Sequence, residues 1–185
     1  GSGRIVYRLA QRGADFLREH NIDVPRPNYR RSSQVGREFL DHQVAVQDLR
    51  ADLAATIVAY AHIQLLEKPA LLAAVNAWRQ HQALELLTSI KFHREQRFAG
   101  FDRPQLVRAV PDDVFRLTQA AKNFFYSVEL DRGTEPIERS GPSLFSHSNV
   151  IGKCLAYDAA YAAGDHRRDF NWSEFRVIIA TTDPI

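Results

Sequence analysis

The stretch from Phe124 to Glu135, FFYSVELDRGTE, decides the fold class of this chain. Apolar side chains alternate from Phe124 to Leu130, which is the period of a β-strand with one apolar face. The other face carries the carboxylates of Glu129 and Asp131, two residues apart. A strand at a protein surface also carries acidic residues on its wet face, so this pattern alone leaves a purely structural interpretation open.

A second predicted strand precedes this one at residues 106–117, LVRAVPDDVFRL, and a short polar connection joins the two. An antiparallel hairpin centred on Ala120 and Ala121 places Asp112 opposite Glu129, with Cβ atoms roughly 5 Å apart. A register slip of one residue would put Asp113 in the position of Asp112, and this alternative stays open.

Like charges directly opposite each other destabilise a hairpin, so this pairing calls for a compensating cation. Carboxylate oxygens are the ligands that Mg²⁺ and Mn²⁺ prefer. The pattern therefore predicts a site for Mg²⁺ or Mn²⁺ formed by Asp112, Glu129 and Asp131.

The composition is that of a soluble globular domain. With 185 residues, 45% of them hydrophobic and 25% charged, the chain is long enough for one domain with a real core. No apolar run approaches the ~18 residues of a membrane span. The single cysteine, Cys154, excludes an internal disulfide and favours a reducing cytoplasm. The chain contains no methionine, which suggests a piece of a longer protein.

The other periodic segments predict helices on a sheet. They are helices at 34–66, 69–78 and 149–163, and strands at 86–92 and 175–181. We expect the first helix to pack on the sheet, Ser148 to cap the last helix and Gly164 to end it. The final strand, nearly all apolar, should be buried on both faces and parallel to the acidic strand. The predicted fold class is α/β, with a mixed central sheet flanked by helices.

A group of arginines suggests contact with nucleic acid. They lie in and beside residues 21–33, a segment with two prolines that reads as an exposed basic linker. These candidate DNA-binding residues are Arg26, Arg30, Arg31 and Arg37. Such a loop is also compatible with simple solvation.

Several segments together resemble the replication-relaxation family, whose members are linked to plasmid replication and mobilisation. The resembling segments are YRLAQRG, His42 followed by VAVQDLR, VPDDVF, VELDRGTE and KCLAYDAAY. The Pro-Asp pair, the acid on the partner strand and a nearby lysine also resemble the PD-(D/E)XK nuclease superfamily. The resemblance implies the end of a winged-helix element at residues 1–20, a basic linker at 21–33 and a restriction-endonuclease-like domain at 34–185.

The resemblance also implies roles for single residues. The superfamily pattern has a lysine two residues after the acid, where this chain has Asp131. Lys153, on the following helix, would supply the displaced charge in a catalytic set with Asp112 and Glu129. Tyr157, one helical turn beyond Lys153, would be a nucleophile if cleavage is protein-linked, and core packing is the alternative for it.

Three functions follow from these features. The first is a metal-dependent DNA endonuclease or relaxase-like nickase. The second is a catalytically inactive DNA-binding or assembly module of a replication protein, which the substitution at Asp131 favours. The third is a protein-interaction domain in which the long alanine-rich helix pairs with a second copy to form a homodimer.

Overall fold

The computed structural model describes residues 37–131, 143–146 and 149–181. The chain divides into two compact units, residues 1–43 and 44–185. Within the first unit the described part is the beginning of one helix.

Several sequence predictions fall on the remaining residues. The winged-helix remnant at 1–20, the basic linker at 21–33 and the side chains of Arg26, Arg30 and Arg31 lie outside the described residues. Arg37 begins the first helix, but its side chain also lies outside them. The proposed domain boundaries therefore stay predictions.

The described part of the chain contains six strands and five helices. The strands are β1 (Ile63–Leu66), β2 (Phe92–Gln96), β3 (Gln105–Ala109), β4 (Asp113–Gln119), β5 (Lys122–Asp131) and β6 (Arg176–Thr181). The helices are α1 (Arg37–Val58), α2 (Lys68–His81), α3 (Ser143–Ser146), α4 (Val150–Ala162) and α5 (Asp165–Phe170). Four strands form a mixed sheet in the order β1-β4-β5-β6, and β2 pairs with β3 in a separate ribbon. The predicted α/β class, with a mixed sheet flanked by helices, is confirmed.

The central hairpin has the register expected from the sequence. β4 and β5 pair antiparallel with Asp113 opposite Val128 and Gln119 opposite Lys122. The predicted centre at Ala120 and Ala121 is correct, and both alanines adopt left-handed backbone angles, with φ of 48° and 62°. Two positive φ angles are typical of the two-residue turns that match strand twist. The slipped register is therefore wrong.

The predicted strand at 106–117 is two strands in two different sheets. β3 ends at Ala109, β4 begins at Asp113, and Pro111 lies between them. Proline lacks the N–H that a ladder needs, so the chain leaves one sheet there and enters the other.

The strand predicted at 86–92 is also wrong, because β2 begins only at Phe92. The Asn76 side chain of α2 bonds both the N–H and the carbonyl of Leu87, at 2.8 and 2.9 Å. The backbone of Leu87 is thus satisfied by a side chain and not by a neighbouring strand.

The first long helix is shorter than predicted. α1 ends at Val58, and Ile63–Leu66, predicted as helix, pairs antiparallel with β4 as the sheet strand β1. Helical and strand patterns are hard to separate in so short an apolar run. α1 reaches the sheet through Arg50, which bonds Asp113 at the start of β4.

α4 agrees closely with its prediction, apart from its cap. Asn149, not Ser148, caps the helix, and its side chain accepts a bond from the N–H of Gly152 at 2.6 Å. Gly164 follows the helix with φ of 73°, the left-handed conformation that glycine adopts without strain.

The predicted crossover from β5 through α4 to β6 is confirmed, since β6 pairs parallel with β5. The expectation that β6 is buried on both faces is wrong. It lies at the end of the sheet order, and Ile178 and Ile179 are 38% and 46% exposed. Apolar composition alone does not distinguish a central strand from an edge strand.

The core lies where α2, α4, the β2–β3 ribbon and the aromatic residues after α4 meet the sheet. Phe92 is at its centre, with ring centroids of Phe175, Tyr157 and Phe170 at 4.8, 5.0 and 5.3 Å. No helix in the described part of the chain has the length and apolar character needed to cross a membrane.

Candidate functional site

A buried glutamate links the central sheet to α4. Glu129 on β5 is 4% exposed and faces α4. The Tyr157 hydroxyl donates to its Oε1 at 2.5 Å, and the Lys153 ammonium lies 3.0 Å from its Oε2. Lys153 and Tyr157 are four residues apart, so they lie on one helical face, one turn apart. Glu129 is therefore not a solvated surface acid, and the structural interpretation of a wet strand face does not hold for it.

Burial governs the protonation of this group. Burial raises the pKa of the Glu129 carboxyl, the Tyr157 and Lys153 contacts oppose that rise, and the negative charge of Asp112 adds to it. Burial and the charge of Glu129 also raise the pKa of Tyr157, so its hydroxyl stays protonated and acts as a donor.

Asp112 lies immediately before β4, beside Glu129 as the predicted register requires. Its Oδ2 accepts a bond from the backbone N–H of Leu130 at 2.8 Å. Lys68, from the first turn of α2, places its ammonium 3.1 Å from the carbonyl oxygen of Asp112 and 3.4 Å from that of Pro111. Burial lowers the pKa of Lys68.

Asp113 has a partner that sequence reasoning missed. It is 5% exposed and takes a two-pronged bond from the Arg50 guanidinium, with Nε 2.5 Å from Oδ2. The Asp113 hydrogen bond raises the pKa of Arg50. Nothing in the spacing of residues 50 and 113 signals this contact, because they are far apart in the chain.

A further buried carboxylate, that of Asp165, was also missed. Arg94 of β2 lies 2.9 Å from both of its oxygens, and Arg168 lies 2.9 Å from one of them. This group ties the β2–β3 ribbon to α5.

The residues predicted to be catalytic or metal-binding, apart from Asp112, line one small pocket. Glu129, Asp131, Lys153 and Tyr157 line it. Its walls also include Val150, Cys154, Val177 and Ile179. The space is about 10 Å³, near the minimum for a single water molecule.

The donors present fit a divalent cation poorly. Across residues 37–131, 143–146 and 149–181, no three His, Cys, Asp or Glu side chains are grouped as a metal site. Both oxygens of Glu129 already face a protonated donor, Tyr157 or Lys153. A Mg²⁺ or Mn²⁺ ion held by Asp112, Glu129 and Asp131 stays a prediction, as do DNA contacts by the arginines at 26, 30, 31 and 37.

Comparison with known proteins gives one finding about relationship. A family model described as Replication-relaxation matches residues 1–171. No curated protein and no solved structure matches the chain significantly.

Proposed function

Because the chain belongs to the replication-relaxation family, we propose that it serves replication as a DNA-binding and assembly module whose buried carboxylates position its elements. This proposal rests on the burial of Glu129 and on the contacts of its carboxylate. Its Oε1 accepts the Tyr157 hydroxyl, and its buried Oε2 lies 3.0 Å from the Lys153 ammonium, beside a small pocket. A metal ion could approach Oε2 only after the Lys153 ammonium had moved away. That ammonium would then have to be rehydrated.

Three of the ion pairs among the described residues each join two different elements. Lys153 holds α4 to β5 through Glu129, Arg50 holds α1 to β4, and Arg94 holds β2 to α5. Breaking such a pair by removing one partner is costly, whereas an intact pair mainly specifies geometry. These pairs therefore orient α1 and α4 relative to the sheet, and the ribbon relative to α5.

A second candidate is metal-dependent phosphodiester cleavage or nicking at Asp112, Glu129 and Lys153. The contact between Lys153 and Glu129, which the crossover brings together, favours this function. The negative charge of Asp112 also acts on Glu129. In that function Lys153 would face the negative charge of the phosphate, and Asp131 would border the site. The 4% exposure of Tyr157 supports core packing more than a nucleophilic role.

Two measurements separate the candidates. The first is Mn²⁺-dependent melting of the parent and of Asp112→Asn, and the second is nicking of supercoiled plasmid with Mg²⁺ or Mn²⁺. For a binding module we expect no change in melting temperature with Mn²⁺ and no nicked product. Cleavage would be established instead by two results together. Mn²⁺ would raise the melting temperature of the parent but not of Asp112→Asn, and the parent would nick plasmid while Lys153→Ala would not.

DNA binding itself is tested by fluorescence anisotropy on duplexes of unrelated sequence. We expect an affinity that falls steeply as salt is added, because phosphate contacts release counterions. A chain with no measurable affinity at low salt would contradict both candidates. Pairing of two copies of the chain stays a prediction, to be checked by sedimentation.

A further inference from the structure

The β2–β3 ribbon has an apolar underside, and its outer face is mostly polar, with Leu106 as an exposed apolar residue on it. Phe92, Val107 and Ala109 are each 2% exposed and pack into the core. His93 and Arg108 are opposite each other in the antiparallel register and are exposed on the outer face. Two donors directly opposite on one face, with no acid between them, are suited to an anion that lies across both strands.

The loop that joins the two strands is anchored by aromatic rings. Phe98 stacks on Phe145 with centroids 4.9 Å apart, and Phe101 meets the same ring edge-on at 5.0 Å. Arg97 and Arg103 are exposed at the two sides of this anchored loop. The charges of Arg97 and Arg103 are therefore carried by a loop that is held in place by aromatic packing.

The charge on this surface is predominantly positive and is not cancelled by neighbours. Within the described part of the chain, the exposed cations of this ribbon surface form no ion pair, whereas Arg94 is bound to Asp165. Exposed carboxylates are fewer on the ribbon and its loop, namely Glu95 and Asp102. The exposed cations are Lys91, Arg97, Arg103 and Arg108.

A groove of about 470 Å³ adjoins the ribbon and continues the basic surface. Lys91 and His93 form one wall, and Arg79 of α2 lies at the other side. Arg79 donates to backbone carbonyls, those of Glu85 at 2.5 Å and Asp169 at 2.9 Å, so its guanidinium is held in place. The Glu85 and Asp169 side chains also line the groove, and Asp169 is paired with Arg168 at 2.8 Å.

We propose that the outer face of the β2–β3 ribbon, with its loop and the adjoining groove, binds the phosphate backbone of duplex DNA. This inference rests on the proposed DNA-binding function and names the surface that performs it. Exposed guanidinium groups match phosphate oxygens in charge and in geometry. Such contacts position the protein without reading the base sequence.

The test compares two triple variants of the full chain by anisotropy with a duplex of unrelated sequence. The ribbon variant is Arg97→Ala, Arg103→Ala and Arg108→Ala. The control removes the same number of exposed charges elsewhere, with Lys122→Ala, Arg167→Ala and Arg176→Ala. Each lost phosphate contact should weaken binding by up to about eightfold at 0.1 M salt and lower the slope of log affinity against log salt by about 0.9.

We expect the ribbon variant to lose roughly 2.7 units of salt slope if each arginine makes one contact. The control should keep the parent slope, and the lysine version of the ribbon variant should restore most of it, because lysine keeps the charge. If the parent binds and the ribbon variant behaves like the control, the inference is overturned while the DNA-binding function stands. If the parent itself does not bind, both fail.

Discussion

Replacing Tyr157 with phenylalanine tests whether Glu129 is a buried, charged acceptor. The change removes one hydroxyl, which donates to Glu129 Oε1 at 2.5 Å, and leaves the ring against Phe92 and Phe175. Hydrogen bonds to charged groups contribute about 1.5–3 kcal/mol, so we expect the free energy of unfolding at pH 7 to fall by about 2 kcal/mol. For a chain of this size that corresponds to a drop of roughly 4–8 °C in melting temperature.

The loss should depend on pH in a defined direction. The folded pKa of Glu129 is raised above its ordinary 4.5, so this group favours folding below that pH and loses that contribution as pH rises through the folded pKa. The Tyr157 bond holds the folded pKa down, and its removal raises that pKa further. The destabilisation should therefore be larger at pH 7 than at pH 4, where a neutral hydrogen bond of about 1 kcal/mol is all that is lost.

The assay is urea unfolding of parent and variant at both pH values, with Tyr161→Phe as the matched control. Tyr161 lies one turn further along α4, is 47% exposed and stacks on His166. Its hydroxyl makes no hydrogen bond within the described residues, so its loss should change the free energy of unfolding by less than about 0.5 kcal/mol. Equal effects of the two variants, or an effect of Tyr157→Phe that does not grow between pH 4 and pH 7, would refute the assigned role of Glu129.

Three further changes test other contacts, each by urea unfolding. Arg50→Met should cost about 2–3 kcal/mol because it removes the charged partner of the buried Asp113 carboxylate, which keeps a bond from the N–H of Val114. Arg50→Lys should recover only part, since lysine lacks the two-pronged geometry; full recovery would contradict this. Ala121→Gly should stabilise the chain by about 0.5 kcal/mol, because glycine adopts the positive φ without the penalty that alanine incurs; a loss of stability would show that the turn differs. Gly152→Ala should destabilise by about 1–3 kcal/mol, since its Cβ would lie 2.8 Å from the carbonyl oxygen of Leu144; a neutral result would mean that this contact relaxes freely.

The hairpin and the crossover were predictable because their signals are local. Alternation from Phe124 onward, a turn at Ala120 and Ala121, and a helical segment before an apolar strand each depend on neighbouring residues only. The spacing of Lys153 and Tyr157 likewise placed both side chains on one face of α4, where they meet Glu129.

The failures occur where distant parts of the chain compete for the same residues. The pattern of Ile63–Leu66 continues that of the helix before it, yet the segment pairs with β4 as a strand. Residues 86–92 alternate like a strand, but the Asn76 side chain satisfies the backbone of Leu87 and β2 begins only at Phe92. Propensity is a weak guide in such segments, because tertiary partners override it.

The sequence by itself determined the α/β class, the β4–β5 hairpin and the parallel placement of β6, because these follow from periodicity, turn length and the handed crossover. The choice between the two β4–β5 registers that it left open was made by the structure. Only the tertiary structure decided that Glu129 is buried, that Asp113 meets Arg50 and that β6 is the last strand of the sheet among the described residues. Burial and long-range ion pairs depend on which element covers which face, and that choice arises from packing of the whole chain, not from any local stretch of it.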